Sequence, residues 1–215
     1  SYAEYVGVEP PLMKKWLSWI GNTPDKEGFK KTPSRRDFLA NGIDLKKLMT
    51  EDIPPLNYAV QPILPEGLVA IAGRPKAMKS WLMYRLCFCV ENGIKFLGHY
   101  VEKGNALYLA LEDSKRRLKS RAYKMSCEKL ENFPTTDTEA PYLGYGLEQD
   151  LLKWINAVDK PKLIVIDTLA RVKPRQTFNK GTAYDLDNEL LRNLQHLAIE
   201  NNVTIKEKTT IKKGS

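Results

Sequence analysis

The 215-residue chain holds 42% hydrophobic and 28% charged residues and carries a net charge of +8. That length and apolar content allow one sizeable core with a short appendage and exclude a wholly disordered chain. The positive balance either favours a polyanion such as nucleic acid or marks a merely basic soluble protein. No apolar run approaches the about 20 residues needed to cross a bilayer.

Residues 1–55 read as a helical arm or linker set apart from the rest. Leu12, Trp16, Leu17 and Ile20 recur at helical spacing, which predicts a short amphipathic helix over 11–20, stopped by Gly21 and Pro24. Trp16 and Trp19 are either packing residues or aids to docking the arm on a partner. Residues 21–37 are polar, basic and rich in turn formers, a linker pattern. Phe38–Met49 is a second candidate helix, and Pro54 and Pro55 close the region.

Residues 56–215 then alternate in type. Leu68–Ala72 reads as a strand and 79–91 as a helix. Ala106–Leu111 is a second strand, 114–126 a basic helix and Leu147–Val158 another helix. Leu163–Ile166 is a third strand, 184–200 a long helix, and Val203–Ile205 the start of a fourth strand. Continuous apolar strands alternating with helices predict an α/β fold, a mostly parallel sheet covered on both faces. Lys206–Lys213 is too charged for a central strand. It reads as an edge strand, a frayed tail, or residues resumed after a gap in a domain incomplete at its C-terminal end. Cys87, Cys89 and Cys127 form no C-x-x-C pair, so buried thiols in a reducing compartment are expected. With no secretory signal visible, the expectation is a cytoplasmic protein with no membrane partner.

Three stretches carry candidate chemistry. Gly73 ends an apolar run and Lys79-Ser80 follows six residues later. This is the layout of a phosphate-binding loop, with Met78 where a second glycine belongs. In such a loop Lys79 reaches the β- and γ-phosphates and Ser80 ligates magnesium. If position 78 needs a positive φ, a side chain there costs about 1–2 kcal/mol, of the order of tenfold in affinity. Leu163-Ile164-Val165-Ile166-Asp167 places a carboxylate at the carboxyl end of a strand, where it either holds magnesium through water or caps the next turn. Leu109-Ala110-Leu111-Glu112-Asp113 ends a second strand in acid. Glu112 either orients and deprotonates an attacking water or caps, and Asp113 or Ser114 caps the following helix. That helix bears Lys115, Arg116, Arg117, Lys119, Arg121 and Lys124, which track phosphates or form a solvated face. Leu118, Ala122 and Met125 are its expected buried stripe. His99 and His196 lack metal-ligand spacing and read as loop and helix residues.

Together these stretches resemble the RecA-like ATPases of the plasmid RepA hexameric-helicase type, over roughly residues 50–205. The carriers are Leu64-Pro65-Glu66-Gly67-Leu68 after Pro54-Pro55, Gly73-Arg74-Pro75-Lys76 with Lys79-Ser80-Trp81-Leu82, Tyr108–Ser114 with Arg117-Leu118, and Val165–Arg171. The resemblance implies a P-loop NTPase fold that binds ATP and Mg²⁺. Gly73, Arg74, Pro75, Lys76, Ala77, Met78, Lys79, Ser80 and Trp81 would surround the nucleotide. Arg121 would pack on the base, Glu112 and Lys79 would be catalytic, and Ser80 and Asp167 would hold the metal. It also implies single-stranded DNA, a ring of copies and other replication proteins as partners, in a phage or mobile-element setting. Two features depart from the family pattern: Met78 itself, and the absence of the expected histidine-containing motif after Val203–Ile205. No arginine finger can be assigned. The rival readings are a non-hydrolysing nucleotide-binding loader and a recombinase-like filament protein.

Overall fold

The computed structural model describes residues 42–174 and 183–210, without the side chains of 183–187 and 208–210. The helix expected over 11–20, the linker over 21–37, Trp16 and Trp19, and residues 211–213 lie outside the described residues. The chain divides into two units, Ser1–Ile53 and Pro54–Ser215. In the first, the described part holds a one-turn helix, α1 (Leu45–Leu48), capped by Asp44, whose side chain accepts from the Lys46 amide at 3.0 Å. Of the helix expected over Phe38–Met49, residues 38–41 lie outside the described residues and residues 42–44 are not helical.

The second unit has two sheets. A small antiparallel one joins β1 (Tyr58–Gln61), β2 (Leu64–Pro65) and, from later in the chain, Tyr100–Val101 (β4), in the order β2-β1-β4. The main sheet begins with β3 (Gly67–Gly73) and continues with β5 (Asn105–Ala110), β6 (Thr135–Asp137), β7 (Pro161–Asp167) and β8 (Thr204–Thr210). Its order is β3-β8-β7-β5-β6 and every pairing is parallel. The helices are α2 (Lys79–Asn92), α3 (Lys115–Lys124), α4 (Leu147–Ala157) and α5 (Ala183–Glu200).

Strand side chains alternate between two cores, as the pleat requires. Ala106, Tyr108, Ala110, Leu163 and Val165 join Met83, Leu86 and Phe88 of α2 and Leu118 of α3. Leu107, Leu109, Ile164, Ile166 and Ile205 join Leu147, Leu151 and Ile155 of α4 and Leu194 and Leu197 of α5. Both faces are therefore covered, the α/β arrangement expected from the alternating pattern. The α4 stripe repeats every four residues, which puts it on one side of a helix. Helix α2 ends at Gly93, whose φ of 64° and amide bonds to the Cys89 and Val90 carbonyls make the left-handed stop that glycine permits. Cys87, Cys89 and Cys127 are free and buried, and burial pushes all three thiols up. On α3, Leu118 is buried while Ala122 and Met125 pack partly buried against the same core.

One expectation is overturned. Thr204–Thr210 is neither an edge strand nor a frayed tail: it lies between β3 and β7, paired with β3 along its length and with β7 over Thr204–Glu207. Composition misleads because the pleat sorts the residues individually. Ile205 is fully buried among the α4–α5 core residues. Thr204 donates its hydroxyl to the Pro65 carbonyl at 2.9 Å. Lys206 is only partly buried, and a lysine can lay an apolar stem along a core while its ammonium reaches outward. Without β8, the facing backbone edges of β3 and β7 would lose a full ladder of hydrogen bonds.

Candidate nucleotide site

The site grows from the end of β3. Gly73 closes the strand, Arg74–Met78 form the turn, and α2 starts at Lys79. Lys76 (φ 63°) and Met78 (φ 59°) both take left-handed backbone. Position 78 thus has the conformation that favours glycine, and the methionine bears a cost of about 1–2 kcal/mol. Its side chain is 60% exposed. Met78 is the N-cap residue of α2 and makes no side-chain cap, so the helix's first amides stay directed at the loop.

Lys79 is 7% exposed. Its ammonium donates to the Gly73 carbonyl at 2.6 Å and to the Arg74 carbonyl at 2.8 Å, which draws it inside the turn. Beside this turn opens a cavity of about 380 Å³ lined by Pro75 through Trp81, Glu112 and Arg121. Most of the sequence-predicted residues thus meet in one space. Gly73 and Arg74 stand behind it as the carbonyls that hold Lys79.

The opposite wall comes from the end of β5. Asp113, expected as a possible helix cap, does something else. The cap of α3 is Ser114, whose hydroxyl accepts from the Arg117 amide at 3.4 Å. Asp113 turns its nearly buried carboxylate to Arg117 at 3.2 Å and, through both oxygens, to Arg121. The Arg121 guanidinium lies 5.6 Å from the Trp81 ring centroid, within cation–π range. A buried fork of charge-assisted bonds fixes both the position and the plane of Arg121. Sequence reasoning missed this function of Asp113. An acid four residues before an arginine at a helix start was the available signal.

Glu112 is 44% exposed, with Arg171 at 3.9 Å. Asp167 is not among the cavity-lining residues. It sits at the end of β7, 2% exposed, paired in register with Ala110, and its carbonyl accepts from the Leu111 amide at 2.8 Å. The two acids therefore leave adjacent strand ends. Tyr108, to which no separate function had been given, donates its hydroxyl to Asp167 Oδ2 at 2.7 Å. Burial, and then the Asp167 charge, pushes the Tyr108 phenol far above its ordinary value, so it is a fixed O–H donor. The Asp167–Thr168 peptide is cis.

The donor set suits a polyphosphate and a hard cation. A 14-residue helix begins at the loop, and helix N-termini with a lysine favour anions. Ser80 and Asp167 offer oxygen ligands, the kind Mg²⁺ takes singly alongside substrate phosphates. Among the described residues no cluster of three or more His, Cys, Asp or Glu could hold a metal by itself. His99 sits in a tight turn with Phe96 and His196 lies on α5. Among the described residues no helix is long and apolar enough to cross a membrane.

A family model described as "AAA domain" matches residues 32–206. No curated protein matches the chain. Among solved structures, the chain is similar to one whose title describes it as an ATPase domain, at 15% identity and a TM-score of 0.49. That match covers 68% of this chain and 58% of the other, less than two thirds of its length.

Proposed function

We propose that this chain, which belongs to the AAA domain family matched over residues 32–206, binds ATP with Mg²⁺ at the Gly73–Trp81 loop and hydrolyses it. The observation that carries this reading is the shared cavity in which Lys76, Met78, Lys79, Ser80, Trp81, Glu112 and Arg121 face one another. Lys79 would exchange its Gly73 and Arg74 carbonyls for phosphate oxygens. The loop amides would wrap the phosphates. Arg121, held by Asp113 against Trp81, would offer a flat cationic surface to the base. Ser80 and Asp167 would hold the metal, which when bound neutralises phosphate charge. Glu112, half-exposed at the cavity wall, would orient water for attack on the γ-phosphate and accept its proton.

The finer reading is a RecA-like motor of the plasmid RepA helicase type, from a phage or mobile element, working as a ring on single-stranded DNA. Its supports are the sequence resemblance and the net charge of +8. A cytoplasmic location and contacts with other replication proteins belong to the same proposal. A second reading, a nucleotide-binding loader without turnover, is favoured by the left-handed Met78.

Lys79→Ala tests both. Hydrogen bonds to charged groups contribute about 1.5–3 kcal/mol, so calorimetry should register at least about a tenfold loss of Mg-ATP affinity. Steady-state turnover, measured with and without single-stranded DNA, should vanish in the variant. Unchanged affinity in Lys79→Ala would end the nucleotide-site reading. Tight binding by the unaltered protein with no turnover under any condition would leave the loader.

A further inference from the structure

We propose that Tyr108 is a positioning residue for the metal side of this site, holding the Asp167 carboxylate in one orientation through its hydroxyl. The inference rests on the nucleotide-site reading above and adds a residue to it. Tyr108 lies in the middle of β5, fully buried. Its register partner on β7 is Val165, and Asp167 stands two residues further along the same face. That diagonal spacing is within reach of an aromatic side chain, and the hydroxyl spans it at 2.7 Å.

Packing alone does not account for a tyrosine here. The surrounding buried residues, Ala106, Ala110, Val165, Met83 and Phe88, are apolar, and Tyr84 stacks on the Tyr108 ring at 5.0 Å. A phenylalanine would fill the same volume without burying a hydroxyl, which costs free energy unless it is bonded. Among the described residues, the Tyr108 hydroxyl meets Asp167, 2% exposed. A ring locked by stacking and carrying a fixed donor restricts the carboxylate's rotation. It engages Oδ2 and so directs how the group can present oxygen to a cation or its water. Outer partners of this kind orient metal-binding carboxylates, and their loss typically costs about 10–100-fold in metal affinity or activity.

The experiment is a Mg²⁺ titration of nucleotide binding, read by calorimetry, on the full chain and on Tyr108→Phe and Tyr84→Phe. Tyr108→Phe keeps the ring and its stacking and removes one oxygen. The expected result is a rise of about tenfold in the Mg²⁺ concentration that half-saturates the metal-dependent gain in affinity, with nucleotide affinity in EDTA unchanged. Tyr84→Phe, which keeps the ring stacked on Tyr108 and removes only its hydroxyl, should leave the Mg²⁺ midpoint where it was. Thermal unfolding without nucleotide or metal accompanies each variant to show that both remain folded. A Tyr108→Phe midpoint equal to that of the unaltered protein would overturn the assignment while leaving the nucleotide site intact. An equal shift in Tyr84→Phe would also overturn it, because core packing would then be the cause. Unaltered protein whose nucleotide affinity ignores Mg²⁺ would remove the reading on which the assignment stands.

Discussion

Strands β7 and β8 lie side by side in the same sheet, yet their sequences could hardly differ more. Pro161–Asp167 opens with Pro161 and Lys162, then runs through four apolar residues, Leu163–Ile166, to one acid at its end. Thr204–Thr210 has one isoleucine, follows it with lysine, glutamate and lysine, and finishes in threonines. Their register pairs Ile164 with Ile205 and Val165 with Lys206. On the α4–α5 side Ile164 and Ile205 are both fully buried, while the next pair sets a buried Ile166 against a buried Glu207. On the α2 side Val165 is fully buried, and its partner is a partly buried lysine. A central position therefore demands a backbone ladder, and an apolar side chain only on the face where packing is tightest. It does not demand an apolar sequence.

The harshest way to break this contrast is Val165→Lys. The variant would bury an ammonium in the α2 core, directly opposite Lys206, where like charges repel. The expected loss is at least about 4–5 kcal/mol, a large part of the roughly 5–15 kcal/mol a domain possesses. Urea denaturation should find the variant unfolded or nearly so. A loss below about 1 kcal/mol would mean that the α2 side of β7 is as tolerant as that of β8.

A gentler comparison uses the matched isoleucines. Ile164→Ala and Ile205→Ala each remove the same atoms from the same cluster and should cost about 2–5 kcal/mol apiece. Near-equal losses in urea would make β8 as integral to the sheet as β7. A cost for Ile205→Ala far below that for Ile164→Ala would return β8 to the frayed tail its composition suggests.

Much of this fold was legible before any coordinates, for reasons that β8 did not share. The runs at Leu68–Ala72, Ala106–Leu111 and Leu163–Ile166 are apolar because both faces of those strands are covered. The four-residue stripe of Leu147, Leu151 and Ile155 is the corresponding signal for a helix. The loop at Gly73–Ser80 was readable because wrapping phosphate needs particular residue types at fixed spacing. The same template raised a positive φ at Met78 as a condition, and the structure meets it. What sequence could not supply was placement across the sheet. Burial of β8 depends on its two neighbours, and no local pattern encodes them. The β1–β2–β4 sheet is built from strands of two to four residues, too short for alternation to register. Asp113 and Tyr108 were misjudged or passed over because their partners lie 8 and 59 residues away.

The smallest and most discriminating effect belongs to Lys206 itself. Burial lowers its pKa from the ordinary 10.5, so between the depressed folded value and 10.5 the unfolded chain binds more protons than the folded one. By linkage, stability rises with pH across that interval and the penalty of the buried charge is complete below it. Lys206→Met keeps an unbranched stem and abolishes the charge. At pH 7 the variant should therefore be the more stable, and a gain of about 1 kcal/mol would raise Tm by about 2–4 °C in a chain of this size. The advantage should shrink as pH climbs through that interval, because the folded lysine gives up its proton first, and level off above 10.5, where the lysine is neutral in both states. An advantage that is constant with pH would assign the effect to packing by the methionine. A loss of stability at pH 7 would mean that the Lys206 ammonium, for all its desolvation, holds β8 in place.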